Sequence, residues 1–252
     1  MKTPKTLFLA WQDSTSRFWF PIGRLTYKED KYEFVYTHGA QEAKEKCAFS
    51  PLNSFPRFGE VYTSTYLFAV FTNRLMSRAR PDYSSFMQRL NLSKDESNPF
   101  TILARSGGQR QTDTLTVFPL PECDEDGLYH FYFSLQGLQD LPLCSIERIN
   151  QLQHQEKLLL AHEFQNPYNF EALSVSTKDH YIVGYCPRYL LTEVFEQIKQ
   201  KSRVEIRVEH VNAPSTPFQY RLMCEMTFDI QHEGRLFNSL QYQPLITEKA
   251  TV

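Results

Sequence analysis

The feature that most constrains this chain is a set of short segments in which large apolar residues alternate with others. Tyr32–His38, Thr112–Phe118, Arg203–Val211 and Phe218–Phe228 each show this period of two, which places one strand face in a core and the other outside it. Thr6–Gln12, Phe18–Tyr27, Leu128–Leu135 (rich in Phe and Tyr), Lys157–His162, Ala172–Ser176 and Tyr181–Tyr185 read as further strands. Turn clusters such as Asp13-Ser14-Thr15-Ser16 and Asn166-Pro167-Tyr168-Asn169 separate them. Helical character falls at Ala40–Cys47 and at Thr65–Met76, where Leu67, Phe68, Phe71 and Leu75 form an apolar stripe. It returns after Pro81, after Asn98-Pro99 as far as Gly107-Gly108, at Pro142–Leu152 and at Arg188–Gln200. The expectation is an α+β protein, with an N-terminal antiparallel sheet and helices followed by a small β unit with two helices, compact enough for a barrel.

Twenty Phe and 14 Tyr among 252 residues suffice to fill such cores, at roughly 150–250 Å² buried per ring. Glycine is scarce, at 9 residues, which argues against a glycine-rich phosphate cradle. Pro121–Gly127 combines a breaker, an acidic cluster and a glycine between two strand-like segments. It is the expected boundary, giving a unit over 1–120, an acidic linker over 121–127, a unit over 128–230 and a fraying tail over 231–252. The net charge of −2 excludes a polyelectrolyte that grips duplex backbone non-specifically. No apolar run approaches the ~18 residues of a membrane span. Met1-Lys2-Thr3-Pro4 leads straight into a strand with no signal-peptide core, so a cytoplasmic protein is expected. Five scattered cysteines, Cys47, Cys123, Cys144, Cys186 and Cys224, read as reduced thiols.

Groups arranged for bond chemistry are missing from the pattern. No GxxxxGK[ST], GxGxxG, HExxH or GxSxG motif occurs, and the seven histidines include no i, i+4 pair. Glu122, Asp124, Glu125 and Asp126 read as a solvated run, and Ser106-Gly107-Gly108-Gln109-Arg110 as a turn between helix and strand. The expectation is a protein that is not an enzyme and holds no metal or cofactor.

Two local features remain. Phe164-Gln165-Asn166-Pro167-Tyr168-Asn169 is followed after a strand by Gly184-Tyr185-Cys186-Pro187-Arg188. A turn bearing Asn, Tyr and Asn offers amide groups beside a ring face, the combination an unpaired base needs, and Arg188 is placed for a phosphate contact. Asn-Pro-Tyr-Asn is also ordinary turn chemistry and Arg188 an ordinary helix opener, and both alternatives stay open.

On "LLLAHEFQNPYNFEALSV", "IVGYCPRYLLTEVF" and a final pair of strands, the second half resembles a HIRAN domain, the small β-barrel module of some SWI/SNF-type remodelling ATPases and of many bacterial proteins. The resemblance implies an OB-like barrel that captures single-stranded DNA ends bearing a 3′-hydroxyl. Carried over by motif, Asn166, Tyr168 and Asn169 would line the pocket, with Tyr185, Arg188 and Gln139 beside it. Members that hold DNA ends carry an Asp where Asn169 stands. They also carry an Arg and two aromatics after a Gly-Leu, where this chain has Gln139, Asp140 and Leu141.

The first half, through "PIGRLTYKEDKYEFVYTHGAQEAKEKCAFSPL", "VYTSTYLFAVFTNRLMSRARPDY" and "NPFTILARSGGQRQTDTLTVFPL", resembles the N-terminal subdomain of HipA-type toxin kinases over about residues 7–120. The kinase body that would follow is replaced by the HIRAN-like unit. That resemblance implies an antitoxin-like partner restraining a HipA-type serine/threonine kinase, docking through Phe55, Phe58, Tyr66, Phe68 and Phe71 with Arg74, Arg78 and Arg80 at the rim. Ordinary core filling is the alternative for those aromatics. The leading expectation is thus an interaction protein with a kinase partner, and the second is a module binding single-stranded DNA ends.

Overall fold

The structure, a computed structural model, describes residues 3–93, 96, 98–230 and 235–246. The chain divides into two compact units, one of Met1–Tyr83, Lys94–Leu120 and Leu236–Val252, the other of Ser84–Ser93 and Pro121–Arg235. The architecture is the mixed α+β one expected, with a separate antiparallel sheet in each unit.

In the first unit β1 (Thr6–Gln12), β2 (Trp19–Lys28), β3 (Lys31–Tyr36), β4 (Val61–Ser64) and β5 (Leu115–Pro119) form one antiparallel sheet in the order β4-β3-β2-β1-β5. Helices α1 (His38–Cys47), α2 (Ala69–Thr72) and α4 (Pro99–Ser106) join it. Alternation along β1 sends Leu7 and Leu9 into a core shared with Phe34, Tyr36, Phe55 and Phe71. Phe8, from the other face, meets Phe118 at 5.4 Å and Tyr242 at 5.2 Å between ring centroids. The cap signals at α4 act as the sequence suggests. Asn98 Oδ1 accepts the Phe100 N–H at 2.8 Å, Pro99 opens the first turn, and Gly107 ends it in the left-handed region.

Two expectations fail here. Only Ala69–Thr72 of Thr65–Met76 is helical. Ser64 Oγ accepts the Tyr66 N–H and Thr72 Oγ1 donates to the carbonyls of Leu67 and Phe68, local bonds that compete with a continuous helix. The tail does not fray throughout, since Leu236, Phe237 and Tyr242 are buried and Leu245 N donates to Tyr36 O at 2.8 Å. The rest of that tail, 231–234 and 247–252, lies outside the described residues.

The second unit holds α3 (Tyr83–Arg89) from Ser84 onward, β6 (Leu128–Ser134), α5 (Leu143–Gln151), β7 (Lys157–His162), β8 (Leu173–Ser176), β9 (Ile182–Tyr185), α6 (Arg188–Lys199), β10 (Arg203–Val211) and β11 (Leu222–Asp229). Its sheet runs β6-β11-β10-β7-β8-β9, antiparallel at every pair. Phe131, Phe133, Leu158, Val175, Val183, Ile206, Val208, Cys224, Met226 and Phe228 are buried in this unit with Ile149 of α5 and Leu190 and Val194 of α6. Register shifts in β8–β9 and β10–β11 add the local bend that a curled sheet needs.

The curl brings the two edges together at one point. Gln136, just past β6, and Tyr185, at the end of β9, exchange N–H···O bonds of 3.0 and 2.9 Å. Gly184 makes the approach possible. Its φ is +147°, and a Cβ there would lie 2.9 Å from Leu135 Cβ and 3.1 Å from the Gln136 carbonyl oxygen.

Residues 121–127 are held against β6. Asp124 Oδ1 accepts the N–H groups of Asp126 and Leu128 at 2.9 Å each, and Oδ2 meets His130 Nε2 at 2.7 Å. The other His130 nitrogen, Nδ1, meets Glu225 Oε1 at 2.8 Å, where the Tyr132 hydroxyl also donates.

Candidate nucleic-acid interface

The loop between β7 and β8, residues 163–171, is tied down by its own polar groups. Glu163 N donates to Ala172 O and Ala172 N donates to Asn169 O, both at 2.9 Å, which closes the loop base. Asn166 organises the turn. Its Oδ1 accepts the N–H groups of Tyr168 and Asn169 at 3.0 and 3.1 Å, and its Nδ2 donates to Glu163 Oε2 at 2.8 Å. Asn169 Oδ1 accepts the Glu171 N–H at 3.1 Å. The two asparagine oxygens are therefore engaged with the backbone rather than aimed at a ligand, the side-chain turn chemistry that favours Asn in such loops.

What the loop presents instead is aromatic. Tyr168 is 84% exposed, Phe164 79% and Phe170 69%. The Phe164 ring leans on His162 at 4.0 Å between centroids, His162 in turn contacts Phe195 of α6 at 4.9 Å, and His162 Nε2 donates to the Phe170 carbonyl at 2.7 Å. Arg188, at the start of α6, donates to Tyr168 O at 3.5 Å.

Tyr185 lies close to the loop, and its hydroxyl pKa is raised by burial first and then by the negative charges of Glu163 and Asp140. The ring lies over Gly137, whose φ of +74° and missing side chain leave room for it; a Cβ there would stand 3.0 Å from Tyr185 Cδ2. Gln139 is exposed and donates to Asp140 Oδ2 at 3.1 Å. The structure thus links Asn166, Tyr168, Asn169 and Arg188 in the 163–171 loop and at its neighbouring helix start, places Tyr185 near Glu163, and puts Gln139 on the turn with Asp140. Around this site Glu163, Asp140 and Glu171 supply carboxylates, against the Arg188 guanidinium. Glu163, Phe164 and Phe170 are absent from the sequence-based set; a Glu beside a turn is ordinarily solvated, so no pattern marked the first.

The docking set of the first unit does not form one surface. Phe55 and Phe71 are fully buried, and Phe55 stacks on Phe34 at 3.9 Å. The Arg74 side chain is 2% exposed, with bonds to Gly108 O and Asp113 Oδ2 at 2.8 and 2.7 Å. Phe58 is half-buried against Tyr36 at 4.9 Å, under the Lys44 ammonium. Tyr66, Arg78 and Arg80 are exposed, with Arg80 held by both carboxylate oxygens of Asp82. Helical spacing put Phe71 in the docking set, and the same spacing marks a core stripe; here the core claims it.

Among the described residues no group of three or more His, Cys, Asp or Glu is arranged to hold a metal ion, and no helix is long and apolar enough to cross a membrane. A closed-up, six-stranded antiparallel module with an exposed aromatic loop is the class that fold and site define. Residues 128–231 match the family model of the HIRAN domain, so the second unit carries a HIRAN domain. Among solved structures, a protein from Lactobacillus plantarum is 20% identical, with TM-score 0.34, over 40% of this chain and 97% of that one. The HIRAN domain of human HLTF is 19% identical, with TM-score 0.31, over 39% of this chain and 74% of that one. No curated protein matches the chain. The HIRAN match begins at residue 128 and leaves the HipA-like resemblance of residues 7–120 without support.

Proposed function

We propose that the second unit binds single-stranded nucleic acid at the 163–171 loop, with unpaired bases stacking on Tyr168 and its neighbours and Arg188 meeting a backbone phosphate. The observation that carries this reading is the exposure of three aromatic rings on one braced loop of a HIRAN domain. Water does not favour presenting that much apolar ring surface, and a base face covers it in a sequence-tolerant way. The HIRAN resemblance extends the reading to strand ends bearing a 3′-hydroxyl. Function here is binding rather than catalysis. With Phe55, Phe71 and Arg74 inside the first unit, the kinase-restraining role loses the surface it required.

The test is a fluorescence-anisotropy titration with labelled single-stranded octamers, ending in a 3′-hydroxyl or a 3′-phosphate. Tyr168→Ala is expected to weaken binding by about 1–3 kcal/mol, the worth of one stacked base. Wild-type binding no tighter than about 10⁻⁴ M at moderate salt, the weak end of non-specific association, overturns the reading.

A further inference from the structure

The geometry points to His130 as a proton-operated latch: charged, it clamps the acidic turn over residues 123–128 onto β6 and β11, and on losing its proton it lets that turn open. The latch is independent of nucleic-acid binding at the 163–171 loop. His130 lies on β6, opposite Thr227 of β11. Both of its ring nitrogens meet carboxylates, Nε2 at 2.7 Å from Asp124 Oδ2 and Nδ1 at 2.8 Å from Glu225 Oε1. An ionised carboxylate only accepts, so each bond needs a proton on the ring, and only the imidazolium carries two. The neutral ring has a single N–H, and its other nitrogen would turn a lone pair on a carboxylate.

The two partners are not equally free to leave. Glu225 sits in β11, between β6 and β10, and its carboxylate also accepts from the Tyr132 hydroxyl at 2.8 Å and from Gln155 Nε2 at 3.4 Å. Arg207 of β10, opposite Glu225 in register, is bonded to Glu205 Oε2 and Gln155 O. Asp124 belongs to a turn whose other ties are its own. Its Oδ1 accepts from Asp126 N and Leu128 N, its N–H donates to Leu128 O, Gly127 N donates to Asp124 O, and Cys123 pairs with Tyr129. A two-stranded turn of that length is marginal in water, and Glu122, Glu125 and Asp126 add like charge along it. Neutral His130 therefore keeps its N–H on Glu225 and drops Asp124. Desolvation pushes the His130 pKa down, but the bonds to Glu225 and Asp124 more than reverse this, so the proton leaves above the ordinary value of about 6.5. Asp124, lowered first by the Leu128 N–H, and Glu225, whose desolvation is outweighed by its bonds from His130 and Tyr132, stay ionised through that range.

The experiment is cleavage of the full chain after Glu122 and Glu125 by a glutamate-specific protease at pH 6.0 and 8.5. Each rate is divided by that of a free peptide of residues 119–131 at the same pH, which removes the protease's own pH dependence. The normalised wild-type rate is expected to rise about tenfold between the two pH values, the effect of one charge-assisted bond on the open population. His130→Gln, with no proton to lose, is expected to cleave at one normalised rate at both pH values, close to the wild-type rate at pH 8.5. That variant keeps Cys123, so any part of the change supplied by the thiol would survive in it. In wild type alone, the midpoint of the cleavage rise should coincide with the NMR titration of the His130 Cε1 proton, and this arm needs no variant to fold. An unchanged wild-type rate overturns the latch. So does a rise that persists in His130→Gln, or a cleavage midpoint that does not coincide with that of the imidazole.

Discussion

Replacing Asn166 by Ala removes three hydrogen bonds at once, two accepted from the Tyr168 and Asn169 backbone and one donated to Glu163. At about 0.5–1.5 kcal/mol net per bond, and toward the lower end because the loop is partly wet, the loss to local order is about 2–3 kcal/mol. The loss falls on the loop, because the bonds from Glu163 N to Ala172 O and from Ala172 N to Asn169 O and the sheet beneath are untouched. Hydrogen exchange reads it directly. The Tyr168 and Asn169 amides are expected to exchange about 30- to 150-fold faster in the variant, while amides of β10 and β11 keep their protection. Binding of single strands is expected to weaken in parallel, because Tyr168 loses its fixed presentation. Unchanged exchange at Tyr168 and Asn169 together with lost binding would refute the reasoning, since Asn166 would then touch the ligand rather than hold the loop.

Two further predictions follow from the second unit. His130 is desolvated, which alone would lower its pKa, yet the carboxylates of Glu225 and Asp124 at its two nitrogens outweigh this and raise it. Its contribution to stability is therefore complete below the unfolded value of about 6.5 and is lost as pH rises through the higher folded value. Urea midpoints should fall between pH 6 and pH 8.5 in wild type and fall less in His130→Gln; the same slope in both would exclude His130. Gly184→Ala should cost about 3 kcal/mol, combining a positive φ with overlap on Leu135 and Gln136, and a urea midpoint like wild type would show that the edges do not meet as described.

Much of the fold was legible because strand alternation is local. Thr6–Gln12, Lys157–His162 and Arg203–Val211 are found with the expected bounds, and the Asn98-Pro99 start and Gly107 stop of α4 are chemistry that neighbours in sequence decide. What failed depended on partners far away. Phe237 and Tyr242 look like an idle tail until Phe8 and Phe118 cover them. The Thr65–Met76 stripe is apolar at helical spacing, but Ser64 and Thr72 bond to nearby backbone and Phe68 stays extended, packed on Phe55. At the candidate site, Asn-Pro-Tyr-Asn left two roles open, lining a pocket or building a turn. Its asparagines bond to the turn's own backbone, while Phe164, Tyr168 and Phe170 are exposed because of how the loop folds, which no spacing encodes.

The claim that single strands stack on the 163–171 loop is tested most directly by NMR of aromatic ring protons during titration with an unlabelled octamer. Tyr168 ring resonances, with those of Phe164 and Phe170, should move upfield as bases cover them, and the largest backbone shifts should fall within 163–171 and at Arg188. Shifts confined instead to the central strands β7 and β10, which carry Lys157, Arg203 and Arg207, with the three rings unmoved, would contradict it.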